Sequence, residues 1–122
     1  MLLRCLVALT AGSALVLVGP DAARAEAVSV CSGRAQTTVK FATGELRIYK
    51  NRAYACALTV AKDPGTRRAM SVSLQARGAR PVVDSGKFTQ WAGPVTVHAL
   101  NRCVRVSGAV SGKKVSTGWI LC

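Results

Sequence analysis

The chain has few of the side chains on which catalysis depends. Its 122 residues include five acidic residues and a single histidine, His98, against 17 lysines and arginines. Proton transfer and nucleophilic attack both need an acid or a base held beside the reacting group. Serines are plentiful, but no G-x-S-x-G turn is present to expose one of them as a nucleophile. We therefore expect no enzymatic activity.

Motifs for metal and phosphate binding are missing as well. The five cysteines are far apart, and no two of them form the C-x-x-C pair of a zinc site. His98 stands alone on the polar side of a predicted strand, and no glycine-rich phosphate loop occurs. The sequence predicts neither a metal site nor a cofactor.

The first 25 residues have the layout of a secretory signal peptide. An apolar run of about 14 residues, Cys5 to Val18, ends at Gly19-Pro20, and Ala23-Arg24-Ala25 offers a small-x-small cleavage site. The run is shorter than the ~20 residues that span a bilayer. We expect residues 1–25 to be removed and residues 26–122 to form one secreted domain without a transmembrane segment. The alternative is an uncleaved membrane anchor.

Cleavage would leave four cysteines, an even number typical of a disulfide framework in a small exported protein. They are Cys31, Cys56, Cys103 and Cys122. Of the three possible pairings we favour Cys31 with Cys56 and Cys103 with Cys122, because each would tie a chain end to a nearby strand. Each loop of roughly 20–25 residues would stabilise the fold by about 3 kcal/mol in the chain-entropy treatment.

Apolar and polar residues alternate with a period of two along most of the mature chain. The alternation is clearest in the segments 54–61, 69–77, 95–100 and 103–110, and turn-forming residues such as Asp63-Pro64-Gly65 separate them. This pattern is typical of short strands with one buried face. We predict an all-β fold, a small antiparallel β-sandwich or barrel stapled by two disulfides.

The same alternation predicts where the cysteines point. Cys56 shares its face with Leu58 and Val60, which we expect in the core. Cys103 shares its face with Arg105, so the second disulfide should lie on an exposed face or at an edge.

The segment "DSGKFTQWAGPV", residues 84–95, combines turn formers with two aromatic residues. We interpret residues 84–86 as a tight turn, 87–91 as a short strand and Gly93-Pro94 as the break before the next strand. One reading of this hairpin is purely structural. The other is a ligand platform for a sugar or wall polymer, formed by Lys87, Phe88 and Trp91.

The basic excess is the strongest remaining feature. Residues 26–122 carry 15 basic and four acidic residues, a net charge of +11. The charge serves either solubility alone or adhesion to a polyanion, which could be wall teichoic acid, an acidic polysaccharide, nucleic acid or an anionic membrane surface. The candidate binding residues are Arg67, Arg68, Lys113 and Lys114. Specific nucleic-acid recognition is not expected, because no groove-reading helix is predicted and aromatic residues are not interleaved with the basic ones.

Three stretches, "DSGKFTQWAGPV", "NRCVRVSG" and "STGWILC", carry a family resemblance. The chain resembles the spore-associated protein A-like family of small secreted actinobacterial proteins. It departs from that family at Gln90-Trp91, where two aromatic residues are common, and at residues 104–108, where a Trp-Gly-Gly is common. The resemblance implies a secreted protein recovered with spores or aerial hyphae, and it supplies no catalytic residues.

We therefore expect a small secreted basic protein with a structural or adhesive role toward anionic wall polymers of the cell or spore surface. One alternative is an extracellular protease inhibitor that presents Arg67 or Arg68 of "DPGTRRAM" to a trypsin-like pocket. Another is a basic antimicrobial protein.

Overall fold

Eight β-strands make up the regular structure of residues 31–122, the part of the chain that the computed structural model describes. The predicted signal peptide lies outside the described residues. The strands are β1 (Thr37–Phe41), β2 (Gly44–Asn51), β3 (Tyr54–Ala61), β4 (Arg68–Ala76), β5 (Val82–Phe88), β6 (Trp91–His98), β7 (Val104–Val110) and β8 (Lys113–Ser116). Residues 31–122 contain no helix that could cross a membrane.

The strands form two four-stranded antiparallel sheets that pack face to face. The first sheet has the order β1-β2-β3-β6 and the second has the order β5-β4-β7-β8. The buried apolar residues form one cluster between them, and residues 31–122 make one compact unit. The predicted all-β sandwich stapled by two disulfides is confirmed.

The second sheet has the inward face that the alternation predicts. Val72 and Leu74 on β4 are fully buried, as are Val104 and Val110 on β7. The intervening side chains point away from the core because successive side chains of a strand lie on opposite faces.

The predicted orientation of β3 is wrong. Its alanines, such as Ala57, and Thr59 face the core, whereas Leu58 and Val60 lie half-buried on the outer face. The inward volume is supplied by the larger residues Leu46 and Ile48 of the neighbouring strand β2. The space beside these larger neighbours admits only small side chains from β3. The greater hydrophobicity of Leu58 and Val60 had indicated that the opposite face of β3 is the buried one.

The interpretation of residues 84–94 as a turn, a strand and a break is also wrong. Residues 84–86 lie in the middle of β5, the turn is at Thr89-Gln90, and β6 continues through Gly93-Pro94. Gly86 allows the Phe88 ring to fold back over the strand, because an added Cβ would lie 3.2 Å from that ring. Glycine here makes room for an aromatic ring and does not form a turn.

Gly93 lies in a β-bulge rather than between two strands. Opposite β3, the register of β6 jumps from Val95 to Ala92, which leaves one extra residue in β6. Gly93 has a φ of +93°, a conformation that favours glycine. Its N–H donates a 2.8 Å hydrogen bond to Asp84 Oδ2 on β5, so the carboxylate links the two sheets.

The disulfides pair as favoured from the sequence. Cys31 is bonded to Cys56 on the outer face of the first sheet, and both residues are buried. Cys103 is bonded to Cys122; Cys103 is half-buried and Cys122 is exposed. The second disulfide thus has the greater exposure, as the parity of Cys103 predicted.

Candidate anion-binding face

The three carboxylate side chains within residues 31–122 all lie away from the outer face of the second sheet. Glu45 points outward from the first sheet and forms an ion pair with Arg47 at 2.6 Å. Asp84 points inward from β5 and accepts the Gly93 N–H. Asp63 lies in the connection between β3 and β4.

The outer face of the second sheet is cationic and rich in hydroxyl groups. Strand pairing places three cations on it: Lys87 on β5, Arg105 on β7 and Lys114 on β8. The other outward positions of the four strands are Ala69, Ser71, Ser73, Gln75, Val83, Ser85, Ser107, Ala109 and Ser116. None of these residues is acidic, so no carboxylate from the four strands opposes an approaching anion on this face.

Three serine hydroxyls lie side by side across this face. Ser73 on β4 is opposite Ser107 on β7, which is opposite Ser116 on β8. Because neighbouring strands are about 4.8 Å apart, the row spans about 10 Å. A hydroxyl can both donate and accept a hydrogen bond, so this row suits a ligand with oxygen atoms of both kinds.

Among the described residues, Arg105 is held in place by a stacking contact and a neutral acceptor and not by a carboxylate. Its guanidinium lies over the Trp119 ring, 4.5 Å from the ring centre, and Arg77 lies 5.5 Å from the same centre. One guanidinium nitrogen donates to Gln75 Oε1 at 2.9 Å, and Gln75 Nε2 donates to the Ala79 carbonyl at 2.9 Å. Stacking on an aromatic ring and a neutral acceptor fix the side chain while its positive charge remains unneutralised.

A groove of about 380 Å³ runs over the serine row, between Arg105 and Lys114. Gln75 and Thr117 complete its polar lining. Thr117 is committed to the fold, because its hydroxyl accepts the Val106 N–H at 3.1 Å and donates to the Gly118 carbonyl at 2.8 Å. We call this the β7 groove.

The predicted ligand platform forms a second, shallower cleft. Lys87, Phe88 and Trp91 line a space of about 260 Å³ around the β5–β6 connection, and Arg67 joins them. Lys87 belongs to the outer face of the second sheet, whereas Trp91 is opposite Val60 on the outer face of the first. The cleft therefore lies where the chain passes from one sheet to the other.

The four basic residues predicted to bind a polymer do not form one site. Arg68 donates to the carbonyls of Asp63 at 2.6 Å and Thr66 at 3.1 Å, so it braces its own loop. Lys113 is opposite the buried Val110 and has the inward parity, whereas Lys114 lies on the outer face. Of the four, Lys114 lines the β7 groove and Arg67 lines the cleft.

Another basic residue, Lys50, belongs to the fold. Its Nζ donates to the carbonyls of Ala99 at 2.8 Å, Arg102 at 3.1 Å and Leu121 at 3.2 Å. These bonds join the end of β2 to the β6–β7 connection and to the C-terminal segment.

Apart from Lys114, sequence reasoning missed the residues that line the β7 groove. Ser73 and Gln75 share the polar parity of β4, and Arg105 and Ser107 share that of β7. This parity was visible in "SVSLQ" and "VRVSG", but the pairing of β4 with β7 was not. The stacking of Trp119 on Arg105 depends on that pairing.

Comparisons with known proteins find no relative of this chain. No protein-family model matches, and neither a curated protein nor a solved structure matches.

Within residues 31–122, no group of three histidine, cysteine, aspartate or glutamate side chains is placed to hold a metal ion.

Proposed function

We propose that the protein is exported, loses residues 1–25 and binds anionic polymers of the cell or spore surface in a structural or adhesive role. The observation that carries this proposal is the outer face of the second sheet, where Lys87, Arg105 and Lys114 lie and no carboxylate of residues 31–122 accompanies them. The disulfides suit an oxidising compartment. The resemblance to spore-associated protein A-like proteins supports the choice of surface.

The placement of the described carboxylates favours adhesion over solubility alone. Charge that serves only solubility can have either sign, and it works best when it is spread over the whole surface. Here Glu45 and Asp63 lie elsewhere, and one face retains only positive charge. Such a face attracts a polyanion by displacing its counterions, so binding should weaken steeply as salt increases.

The test is sedimentation of the mature protein with isolated cell walls and spores across a salt titration. The face variant is Lys87→Ser/Arg105→Ser/Lys114→Ser. Its charge-matched control is Arg34→Ser/Lys40→Ser/Lys62→Ser, which removes three exposed cations outside this face. We expect the face variant to lose most retention and roughly three units of salt slope, about one for each lost contact.

The control should keep most of its retention at low salt. Equal losses in the two variants would show attraction to net charge and would contradict the role of the face. If the unmodified protein does not sediment with walls or spores at any salt concentration, the proposed adhesion is wrong.

Protease inhibition is a second candidate, and the loop that contains Arg67 is the observation that favours it. Arg68 braces this loop through the Asp63 and Thr66 carbonyls, and the Gly65 N–H donates to the Thr89 carbonyl at 2.9 Å. A rigid exposed loop with an arginine suits a trypsin-like pocket. Inhibition of trypsin at micromolar protein, abolished by Arg67→Ala and retained by Lys62→Ala, would establish this function.

A further inference from the structure

The Arg105 guanidinium offers several hydrogen-bond donors from a fixed position. It has five N–H groups, and its one side-chain hydrogen bond within residues 31–122 goes to Gln75 Oε1. The Trp119 ring covers one of its faces at 4.5 Å. Little conformational freedom is therefore lost when the remaining N–H groups bind an oxyanion in the β7 groove.

The centre of the groove has a different chemistry from its two cationic ends. The hydroxyls of Ser73, Ser107 and Ser116 form no hydrogen bond with other groups in the part of the chain that the structure describes. Arg105 and Ala109, which is opposite Lys114, are four residues apart on β7. At about 3.4 Å per residue, the two cations project from points roughly 14 Å apart.

We infer that the β7 groove binds a polyol-phosphate chain, with Arg105 and Lys114 on phosphates and the serine row on the hydroxyls between them. This inference rests on the proposed function and names its ligand. The two non-bridging oxygens of each phosphodiester match the fork of an arginine, and the polyol between two phosphates carries the hydroxyls that the serine row can bind. Nucleic acid suits the groove less well, because no aromatic ring is among the residues of 31–122 that line it, and the nearby Trp119 already stacks with Arg77 and Arg105.

The decisive variant is Gln75→Glu, which would place a carboxylate beside Arg105 where an amide oxygen now accepts its N–H. The ion pair would occupy Arg105 and repel phosphate while the strand remains intact. The charge-matched control is Thr38→Glu, at an exposed position on the first sheet. Arg105→Lys retains the charge and loses the fork.

Binding is measured by calorimetry at fixed low salt with three ligands of matched charge: a glycerol-phosphate oligomer, an oligouronate and single-stranded DNA. We expect the glycerol-phosphate oligomer to bind about tenfold more tightly than the other two. Gln75→Glu should lose about tenfold or more and Arg105→Lys about fivefold, as expected for weakened charge-assisted hydrogen bonds. Thr38→Glu should change affinity less than about twofold.

Equal affinity for the three ligands, or equal losses in Gln75→Glu and Thr38→Glu, would overturn the polyol-phosphate assignment. Preference for DNA would overturn it in favour of nucleic acid. Wall retention separates this failure from that of adhesion: a protein that sediments with walls but shows no ligand preference keeps the proposed function and loses this inference.

Discussion

Thr59 Oγ1 donates a 2.8 Å hydrogen bond to the Ser71 carbonyl, from β3 of the first sheet to β4 of the second. Thr59 is fully buried. Its hydroxyl lies over Gly108 of β7, where an added Cβ would overlap it. The absence of a side chain at position 108 thus permits a polar bridge through an otherwise apolar core, and a buried hydroxyl must have such a partner.

Gly108→Ala is expected to destabilise the protein by about 1–3 kcal/mol, the usual cost of overpacking a core. The control is Gly118→Ala, because a Cβ there meets nothing within 4 Å. In a Thr59→Ala background the cost of Gly108→Ala should fall by about 1 kcal/mol, since the overlapped group is gone. Urea unfolding of the four proteins of this cycle measures the coupling, and strict additivity would contradict the steric explanation.

The two disulfides should differ in their rate of reduction. Cys122 is exposed, whereas Cys31 and Cys56 are only 5% and 6% exposed. A thiolate reaches an exposed sulfur more readily. Timed alkylation and mass spectrometry during mild reduction of the folded protein should therefore detect free Cys103 and Cys122 first. Earlier release of Cys31 and Cys56 would show that exposure does not control the rate.

Lys50→Met should loosen the C-terminal segment. The substitution keeps the apolar stem but removes the donor to the Ala99, Arg102 and Leu121 carbonyls, at an expected cost of about 1–3 kcal/mol. Hydrogen exchange should accelerate at Ile120, whose N–H donates to the Val104 carbonyl. Lys40→Met, at an exposed position, should change stability by less than about 0.5 kcal/mol.

Trp119 should report ligand binding in the β7 groove. The chain has two tryptophans, so Trp91→Phe leaves Trp119 as the single tryptophan. Its fluorescence should shift on titration with a glycerol-phosphate oligomer. The ligand would bind the Arg105 guanidinium, which stacks on the Trp119 ring. Calorimetric binding without any change in emission would place the ligand elsewhere. Loss of binding caused by Trp91→Phe itself would favour the cleft of Lys87, Phe88 and Trp91.

The alternation of apolar and polar side chains predicted the fold class, because each strand of a sandwich has one face in the core and one face toward solvent. It failed for β3, where Cys56 is buried by its disulfide partner Cys31 and the alanines face the core. The turn-forming composition of residues 84–86 was misleading as well, because Gly86 lies within β5 and accommodates the Phe88 ring. The first error arises from packing against the neighbouring strand β2, and the second from an aromatic ring that folds over the next residue on the same face of its own strand.

The candidate site was less predictable than the fold. The sequence identified Lys114 and Arg67 as candidates. The position of Arg105 depends on its hydrogen bond to Gln75, which is 30 residues away in the sequence, and on its contact with Trp119. A residue's charge is visible in the sequence, whereas the presence of a carboxylate beside it depends on strand pairing. The distinction between Arg68, which braces a loop, and Lys114, which lines a groove, required the structure.

The Cys31–Cys56 disulfide also determines how the protein can be handled. It fixes Cys31 to the outer face of the first sheet, while the β7 groove opens on the outer face of the second. Ser32 is exposed next to this anchor. A dye or a biosensor linker attached at Ser32 would therefore emerge on the far side of the sandwich, leaving the groove open to ligand.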